Sequence, residues 1–439
     1  MVNKVETATI KLWGKSLGAI SWLDDKQHAV FEYEPSFLTL GLDVSPIHMS
    51  LQAARDNHRI FSFPALNKST FLGLPGLLAD SLPDKFGNHI IDIWLSQQGR
   101  HKNSFSPVER LCYTGNRGMG ALEFSPAVTR KFDNSVSVDV AQMVELVQNL
   151  NQQRSNLSVD FGDSDKHNAE AIADILRIGT SAGGARAKAV IAMNEAGQVV
   201  SGQTDAPRGY DYWLLKFDGV NDLELGESIG FGRIEFAYYL MAKAAGIEMT
   251  DCRLLEENNR AHFLTKRFDR MNGEKAHLQS LCGIAHYDFN MAGAYSYEQV
   301  FMIMRQLRLS KAEALQQFRR MVFNIVARNQ DDHTKNIGFI MSKDGAWRLS
   351  PAFDVTYAHN PAGLWTNQHQ LSVSGKRDNI TRDDLIELGD SISLNKPGLV
   401  IDEVVSAVSD WQKIATQVKV NKKWISEIAA THRLSIGKN

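Results

Sequence analysis

The chain lacks several features that would place it in a special class of protein. Only three of its 439 residues are cysteines (Cys112, Cys252 and Cys282), far apart and outside any Cys-x-x-Cys spacing. This pattern indicates a reducing compartment and argues against a disulfide framework or a thiolate zinc site. No run reaches the roughly 18 apolar residues that a membrane span needs. The polar N-terminus has no apolar leader core. We therefore expect a soluble, cytoplasmic protein that does not contact a membrane.

An excess of charge of one sign is also missing. Lys and Arg total 48 against 50 Asp and Glu, which gives a formal net charge of −2 at pH 7. The protein therefore has no large basic field for nucleic acid, and a partner would have to make most contacts to DNA. The hydrophobic fraction of 43% is ordinary for a globular protein. The length predicts two or three cooperating domains.

The order of the predicted elements is strand-rich first and helix-rich second. Alternating segments near the N-terminus, TATIKLWG, LGAISWL and AVFEYE, predict short strands. YWLLKFDG and AHFLTKRFDR also read as strands, whereas VAQMVELVQNL and IEFAYYLMAKAAG have helical spacing, with Gly246 as the stop of the latter. From residue 295 onward the pattern is mostly helical. We expect an α+β fold with a boundary near residue 130.

The stretch NQDDHTKN, residues 329–336, has the strongest chemical pattern. Asp331 and Asn336 are five residues apart, between a predicted helix and the strand-like NIGFIM. Kinase catalytic loops use this spacing, because an aspartate orients or deprotonates the attacking hydroxyl and an asparagine holds magnesium. Taken alone, a surface turn explains the pattern equally well. His333 is expected to hold the loop's shape rather than to bind metal.

A second acidic position follows in RLSPAFDVTYA. Asp354 lies 23 residues after Asp331, at the end of an apolar segment. An isolated aspartate at such a junction is usually a turn former. With Asn336 it would supply the oxygen ligands that magnesium prefers, which predicts a metal site at Asn336 and Asp354.

A nucleotide also needs cations near its phosphates. Lys216 lies in the apolar strand YWLLKFDG, where a lysine is costly to bury unless it is paired, and Glu235 on the next helix is a plausible partner. The alternative is an edge strand from which Lys216 reaches water. Upstream, GTSAGGARAKAV combines small residues with positive charge and could approach phosphates closely, although a flexible connector would look the same.

Six separated motifs occur in one order: SAGGARAK, LLKF, the helix with Glu235, LTKRFDR, DDHTKN and SPAFD. In this order the chain resembles the HipA toxins of bacterial HipA–HipB toxin–antitoxin modules, and the resemblance includes SLPDKFGNHIIDIWL and GNRGMGALEF. It implies a protein-kinase-like bilobal fold with an additional N-terminal α/β subdomain. The implied domains are an N-terminal subdomain at 1–130, a strand-rich kinase lobe at 131–268 and a helical lobe at 269–439.

The resemblance also implies a function, namely transfer of the ATP γ-phosphate to protein Ser/Thr hydroxyls with Mg²⁺. Asp331 would be the base, Asn336 and Asp354 the magnesium ligands, and Lys216 the ATP-phosphate lysine. The implied nucleotide-binding positions are Gly183, Gly184, Ala185, Arg186, Lys188, Lys216, Glu235, and the hinge residues Lys266 and Phe268. Ser181, or the adjacent Thr180, would be autophosphorylated, which inactivates the kinase.

The implied partners are a HipB-like helix-turn-helix antitoxin dimer, operator DNA mainly through that dimer, and a protein substrate. The family's target type is an aminoacyl-tRNA synthetase, notably glutamyl-tRNA synthetase, whose inactivation arrests growth and favours persistence. Two other functions stay open: a small-molecule or lipid kinase, and a silent nucleotide-binding co-repressor. The chain departs from the family at Asp332, where a small residue is common, and before Lys188, where it reads Arg-Ala. Asp332 would either tune metal affinity or point to solvent.

Overall fold

The computed structural model describes most of the chain, in two compact units. The described residues are 4–56, 59–83, 87–88, 90–92, 95, 99–101, 104–127, 139–155, 187–203, 205–220, 230–271 and 273–437. The first unit comprises Met1–Leu42, Leu51–Gly232 and Arg253–His277, and the second comprises Asp43–Ser50, Arg233–Cys252 and Leu278–Asn439. The finer division at residues 130 and 268 stays a prediction.

The first sheet of the first unit forms from the alternating segments, as predicted. Its strands are β1 (Thr7–Leu12), β2 (Lys15–Leu23), β3 (His28–Tyr33), β4 (Ile60–Phe61) and β5 (Leu122–Ser125), in the antiparallel order β4-β3-β2-β1-β5. In β1 every second residue is buried, because successive side chains point to opposite faces of the sheet. Five short helices accompany it: α1 (Pro35–Leu38), α2 (Leu51–Arg55), α3 (Lys68–Phe71), α4 (Gly76–Ala79) and α5 (Pro107–Thr114).

The second sheet of the first unit follows helix α6 (Val140–Ser155). Its strands are β6 (Lys188–Asn194), β7 (Val199–Ser201), β8 (Tyr210–Lys216), β9 (Cys252–Glu257) and β10 (Arg260–Lys266), in the order β7-β6-β8-β10-β9. Val144 of α6 and Trp213 of β8 belong to one buried apolar cluster. Since β8 is the central strand, the edge-strand alternative for Lys216 is wrong.

Eight α-helices belong to the described part of the second unit. They are α7 (Phe231–Ala244), α8 (Leu281–Ala285), α9 (Tyr297–Gln306), α10 (Lys311–Val326), α11 (Arg382–Ser391), α12 (Pro397–Ser409), α13 (Trp411–Gln417) and α14 (Lys422–Ala429). The helical pattern predicted after residue 295 is therefore confirmed. Gly246 has a φ of 75° just after α7, as expected of the stop residue. Within the described residues, every helix is too short or too polar to cross a membrane.

Short strands complete the described chain. A hairpin joins β11 (Arg270–Met271) to β12 (Glu274–Lys275). The strands β13 (His277–Ser280), β15 (Gly338–Met341) and β16 (Trp347–Leu349) form a sheet in the order β13-β15-β16. The strands β14 (Tyr295–Ser296) and β17 (Leu371–Ser372) pair in parallel.

Helix α10 delivers the chain to the NQDDHTKN stretch. Its first turn is closed by a capping box, in which Ser310 Oγ accepts from the Glu313 N–H and the Glu313 carboxylate accepts from the Ser310 N–H. Phe318, Val322 and Ile325 bury one face of the helix. After Val326 the chain turns into the loop and continues as β15, so the loop lies between two rigid elements.

Candidate active site

Residues 329–336, called here the catalytic loop, are shaped by their own side chains. His333 Nδ1 accepts from the Lys335 N–H at 3.2 Å and caps the short 3₁₀ helix Thr334–Asn336. Thr334 donates to the Tyr287 carbonyl at 2.7 Å. Asn336 Nδ2 donates to the Asp331 carbonyl at 2.8 Å and closes the loop. His333 thus holds the loop's shape, as expected from the sequence.

Asp331 lies on the outer side of this loop. Its side chain is 38% exposed, its Oδ1 accepts from Trp365 Nε1 at 2.7 Å, and the same oxygen is 3.7 Å from His333 Nε2. Burial raises the pKa of Asp331 above its usual value; the charge of His333 and the indole hydrogen bond oppose this, while Asp354 and Asp332 reinforce it. A carboxylate with a raised pKa and an accessible side can accept a proton from a hydroxyl group.

Asp332 lies on the inner side of the loop and is buried, with 1% of its side chain exposed. Its Oδ2 accepts from the Tyr297 hydroxyl at 2.8 Å and from His369 Nδ1 at 2.9 Å, and its Oδ1 accepts from the Gln370 N–H at 2.7 Å. Burial alone would raise its pKa, but His369 and these hydrogen bonds hold the pKa of Asp332 below its usual value. The prediction that Asp332 points to solvent is therefore wrong.

Asn336 and Asp354 line one cleft together with Phe353 and Asp332. The amide nitrogen of Asn336 is committed to the loop, which leaves its oxygen as the group able to bind a cation. Asp354 has a φ of 56°, in the left-handed region that aspartate tolerates better than most residues and that often marks functional positions. One carboxylate and one amide oxygen fit Mg²⁺, which takes its remaining ligands from phosphate and water.

Protein side chains alone do not complete a metal cage there. Among the described residues, no group of three or more His, Cys, Asp or Glu side chains is arranged to hold a metal ion.

In the first unit, Lys188 and Lys216 are direct cross-strand partners on β6 and β8. They are 4% and 9% exposed, and Lys216 Nζ lies 5.8 Å from the centre of the Phe263 ring. Directly opposite residues of an antiparallel pair point to the same face of the sheet, where like charges destabilise one another. Glu235 is buried on α7 in the second unit, and its pairing with Lys216 stays a prediction.

The predicted hinge residues lie at the end of β10, where Lys266 is the last residue of the strand and Phe268 follows it. Lys266 Nζ lies 2.8 Å from Asp211, Phe268 is buried, and the Arg267 N–H donates to the Tyr212 carbonyl at 2.9 Å. Arg267 belongs to a buried charged cluster. Its guanidinium donates twice to the buried carboxylate of Asp269, at 2.9 and 2.7 Å.

The Asp269 carboxylate also ties the hinge to the GNRGMG segment. It accepts from the Gly120 N–H at 2.7 Å and from Arg270 Nη1 at 2.8 Å, while Arg270 donates to the Gly118 and Gly120 carbonyls, both at 2.8 Å. Burial opposes the charged form, but Arg267 and Arg270 hold the pKa of Asp269 well below its usual value. The repeated charges of KRFDR were the only sequence signal of this cluster.

Part of the predicted site lies outside the described residues. These positions are Thr180, Ser181, Gly183, Gly184, Ala185 and Arg186. Conversely, the residues that support the two aspartates from elsewhere in the chain (Tyr297, Trp365, His369 and Gln370) escaped prediction from the sequence. They lie 34 to 38 positions from their partners, and nothing in HNPAGLWTNQHQ has a recognisable spacing.

Two models of known protein domains match the sequence of this chain. Residues 180–433 match the HipA-like C-terminal domain, and residues 8–125 match the HipA N-terminal domain. The chain belongs to the HipA family. The two matches together span most of this HipA-family chain.

A solved structure shows the same fold. The HipA of Shewanella oneidensis MR-1, solved in a complex of a toxin–antitoxin system with HipB and its operator DNA, aligns over 98% of this chain and 96% of its own, with a TM-score of 0.65 at 15% identity. The predicted α+β, kinase-like fold is confirmed. Helicobacter pylori proinflammatory kinase CtkA aligns over 52% of this chain and 89% of its own at 12% identity, with a TM-score of 0.30, too low to support an argument.

A protein of Haemophilus influenzae, named as a candidate kinase, is 25% identical over 231 residues. The alignment covers 45% of this HipA-family chain and 67% of that protein.

Proposed function

We propose that this HipA-family chain is a Mg²⁺- and ATP-dependent serine/threonine protein kinase that acts as the toxin of a toxin–antitoxin pair. One observation supports the chemistry above the others. Asp331, a partly exposed aspartate with a raised pKa, lies five residues before Asn336 in the same loop. Asn336 and Asp354 line one cleft. A base next to oxygen ligands for magnesium is the arrangement that phosphoryl transfer requires.

The residues of the catalytic loop would divide the work as follows. The acceptor hydroxyl donates a hydrogen bond to Asp331 Oδ2, and Asp331 takes its proton as the oxygen attacks the γ-phosphorus of ATP in line with the departing β-phosphate oxygen. Asn336 and Asp354 would hold Mg²⁺, which when bound neutralises charge on the phosphate oxygens. Lys216, with Lys188 opposite it on β6, would bind the phosphates of ATP.

The partners follow from the family. The HipA of S. oneidensis is solved with HipB and operator DNA, and a comparable helix-turn-helix antitoxin dimer would carry the DNA contacts here, since the net charge of this chain is −2. The acceptor would be a protein in the cytoplasm, with glutamyl-tRNA synthetase as the family's target type, and its modification would arrest growth. Autophosphorylation at Ser181 or Thr180 would inactivate the enzyme.

The test is to incubate the purified chain with Mg-ATP and locate phosphate by mass spectrometry. We expect phosphate on Ser181 or Thr180 in the wild type and none in Asp331→Ala. The control is Asp25→Ala, which removes an exposed aspartate between β2 and β3 and should leave phosphorylation unchanged. A wild-type protein that neither binds nor turns over ATP would refute the proposal.

Expression in bacteria then separates a toxin from a housekeeping kinase. Wild-type protein should arrest growth, and Asp354→Ala should relieve the arrest. Normal growth in the presence of active enzyme would refute the toxin role. Phosphate transfer only to a small molecule or a lipid would show that the acceptor is not a protein.

A further inference from the structure

The segment that follows Asp354 returns to the catalytic loop and is bonded to both of its aspartates. Trp365 Nε1 donates to Asp331 Oδ1 at 2.7 Å, and the Gln370 N–H donates to Asp332 Oδ1 at 2.7 Å. Gln370 Nε2 in turn donates to the Trp365 carbonyl at 2.5 Å. Asp331, Asp332, Gln370 and Trp365 therefore form a closed ring of hydrogen bonds and covalent links.

The ring is buried on the inner side of the loop and partly exposed on the outer side. His369, next to Gln370, is 0% exposed and adds a second bond to Asp332, so the inner end of the segment is fixed in the interior. Trp365 is only partly buried, and its neighbour Leu364 is 100% exposed. The indole is therefore only partly held by burial, and its N–H is directed by the hydrogen bond to Asp331.

The chemistry of the indole suits a carboxylate that must accept a proton. An indole N–H donates a hydrogen bond and cannot accept one or lose its proton near neutral pH. It therefore occupies Asp331 Oδ1 both before and after a proton arrives on the other oxygen. His333 is the other ring beside this bond, with its centre 6.2 Å from that of Trp365.

We propose that Trp365 is a positioning residue for phosphoryl transfer, which holds the Asp331 carboxylate so that Oδ2 alone faces the acceptor hydroxyl. This role rests on the proposed kinase function. Without the indole the carboxylate would rotate and present the wrong oxygen in part of the population, which would slow the chemical step without weakening ATP binding.

The first test compares the kinetics of the full chain as wild type, Trp365→Phe and Trp347→Phe, using transfer of phosphate from Mg-[γ-³²P]ATP to the protein itself. Trp365→Phe keeps the aromatic bulk and removes only the donor. We expect its maximal rate to fall roughly 10- to 100-fold while the KM for ATP stays within about twofold. Trp347 also donates an indole hydrogen bond, at 3.0 Å to the Asp43 carbonyl, and its substitution should leave the rate unchanged.

The second test observes the contact itself and does not depend on activity. The indole N–H resonances of Trp365 and Trp347 are assigned in ¹H–¹⁵N spectra of the wild-type chain from their contacts to neighbouring protons, without a Trp365 variant. We expect the Trp365 resonance to move in Asp331→Ala, because its acceptor is gone, while the Trp347 resonance stays in place. This test also covers the case in which Trp365→Phe folds poorly.

The outcomes separate the two proposals. A wild-type rate in Trp365→Phe, a faster rate, or an indole resonance unmoved by Asp331→Ala would overturn the positioning role and leave the kinase proposal standing. A wild-type protein without any phosphate transfer would overturn the kinase proposal, and the positioning role with it.

Discussion

The two adjacent aspartates of the catalytic loop, one on its outer side and one on its inner side, lie in opposite environments. On the outer side, Asp331 is 38% exposed and accepts one side-chain hydrogen bond, from Trp365. On the inner side, Asp332 is 1% exposed and accepts three hydrogen bonds, from Tyr297, His369 and Gln370. The pKa of Asp331 is raised and that of Asp332 is lowered. The loop thus holds one carboxylate that is partly exposed and one that is buried and fully hydrogen-bonded.

This difference shows how a loop can be fixed without blocking its chemistry. A buried carboxylate with all its donors in place is stable but unreactive, because its hydrogen bonds favour the charged form. The neighbouring carboxylate, Asp331, is partly exposed, and its partial burial disfavours the charged form. We expect substitutions on the outer side to change activity and substitutions on the inner side to change stability.

The largest effect is expected at the proposed metal site, in the cleft that Asp354 shares with Asn336. Asp354→Asn keeps a side chain that tolerates the left-handed φ of 56° but removes the charge. We expect phosphate transfer to fall about 10³-fold, since a bound metal contributes several kcal/mol to the transition state. Transfer rates measured against Mg²⁺ concentration check this. A rate and a magnesium dependence like those of the wild type would show that Asp354 does not bind the metal.

The inner side should show the largest loss of stability. Asp332→Ala leaves the Tyr297 hydroxyl, the His369 ring and the Gln370 N–H without their common acceptor. We expect the free energy of unfolding to fall by about 3 kcal/mol, measured by urea denaturation at pH 7. Asp344→Ala, in the exposed turn between β15 and β16, is the control. A loss below about 1 kcal/mol would mean that the loop is anchored elsewhere.

One of the three donors can be removed by itself. Tyr297→Phe deletes a hydroxyl that donates to Asp332 and accepts from Asn324 Nδ2 at 3.1 Å. We expect a loss of about 1–2 kcal/mol in the free energy of unfolding and little change in the KM for ATP. If the double variant Tyr297→Phe/Asp332→Ala loses the sum of the two single losses, the two groups do not interact in solution.

The smallest effect has the opposite sign. Because the folded protein raises the pKa of Asp331, the stability of the protein falls as pH rises from the usual carboxyl range through that raised pKa, and the cost persists at pH 7. Asp331→Asn should therefore raise the free energy of unfolding at pH 7, by only about a few tenths of a kcal/mol because the side chain is partly exposed. A stability loss would place Asp331 with Asp332 as a structural residue.

Local patterns in the sequence predicted the elements and the loop well. The alternation in TATIKLWG and the helical spacing in EALQQFRRMVFNIVARNQ each became the expected element, because burial follows the period of the side chains. The loop itself formed between α10 and β15, where His333 shapes it.

Contacts between distant residues were beyond such patterns. Asp332 could not be assigned from the sequence, because its three donors lie 35 to 38 residues away and no local pattern links them to the loop. The same holds for Trp365. The central position of Lys216 depends on strand order, which the sequence of a single strand does not encode.

The measurement that tests the division of the loop most directly is phosphate transfer by Asp331→Asn and Asp332→Asn, each assayed at a temperature where it is folded. We expect Asp331→Asn to be at least as stable as the wild type but to lose transfer by roughly 10³-fold. We expect Asp332→Asn to be less stable but to retain measurable transfer. Transfer preserved in Asp331→Asn, or abolished only in Asp332→Asn, would contradict these roles for the two aspartates.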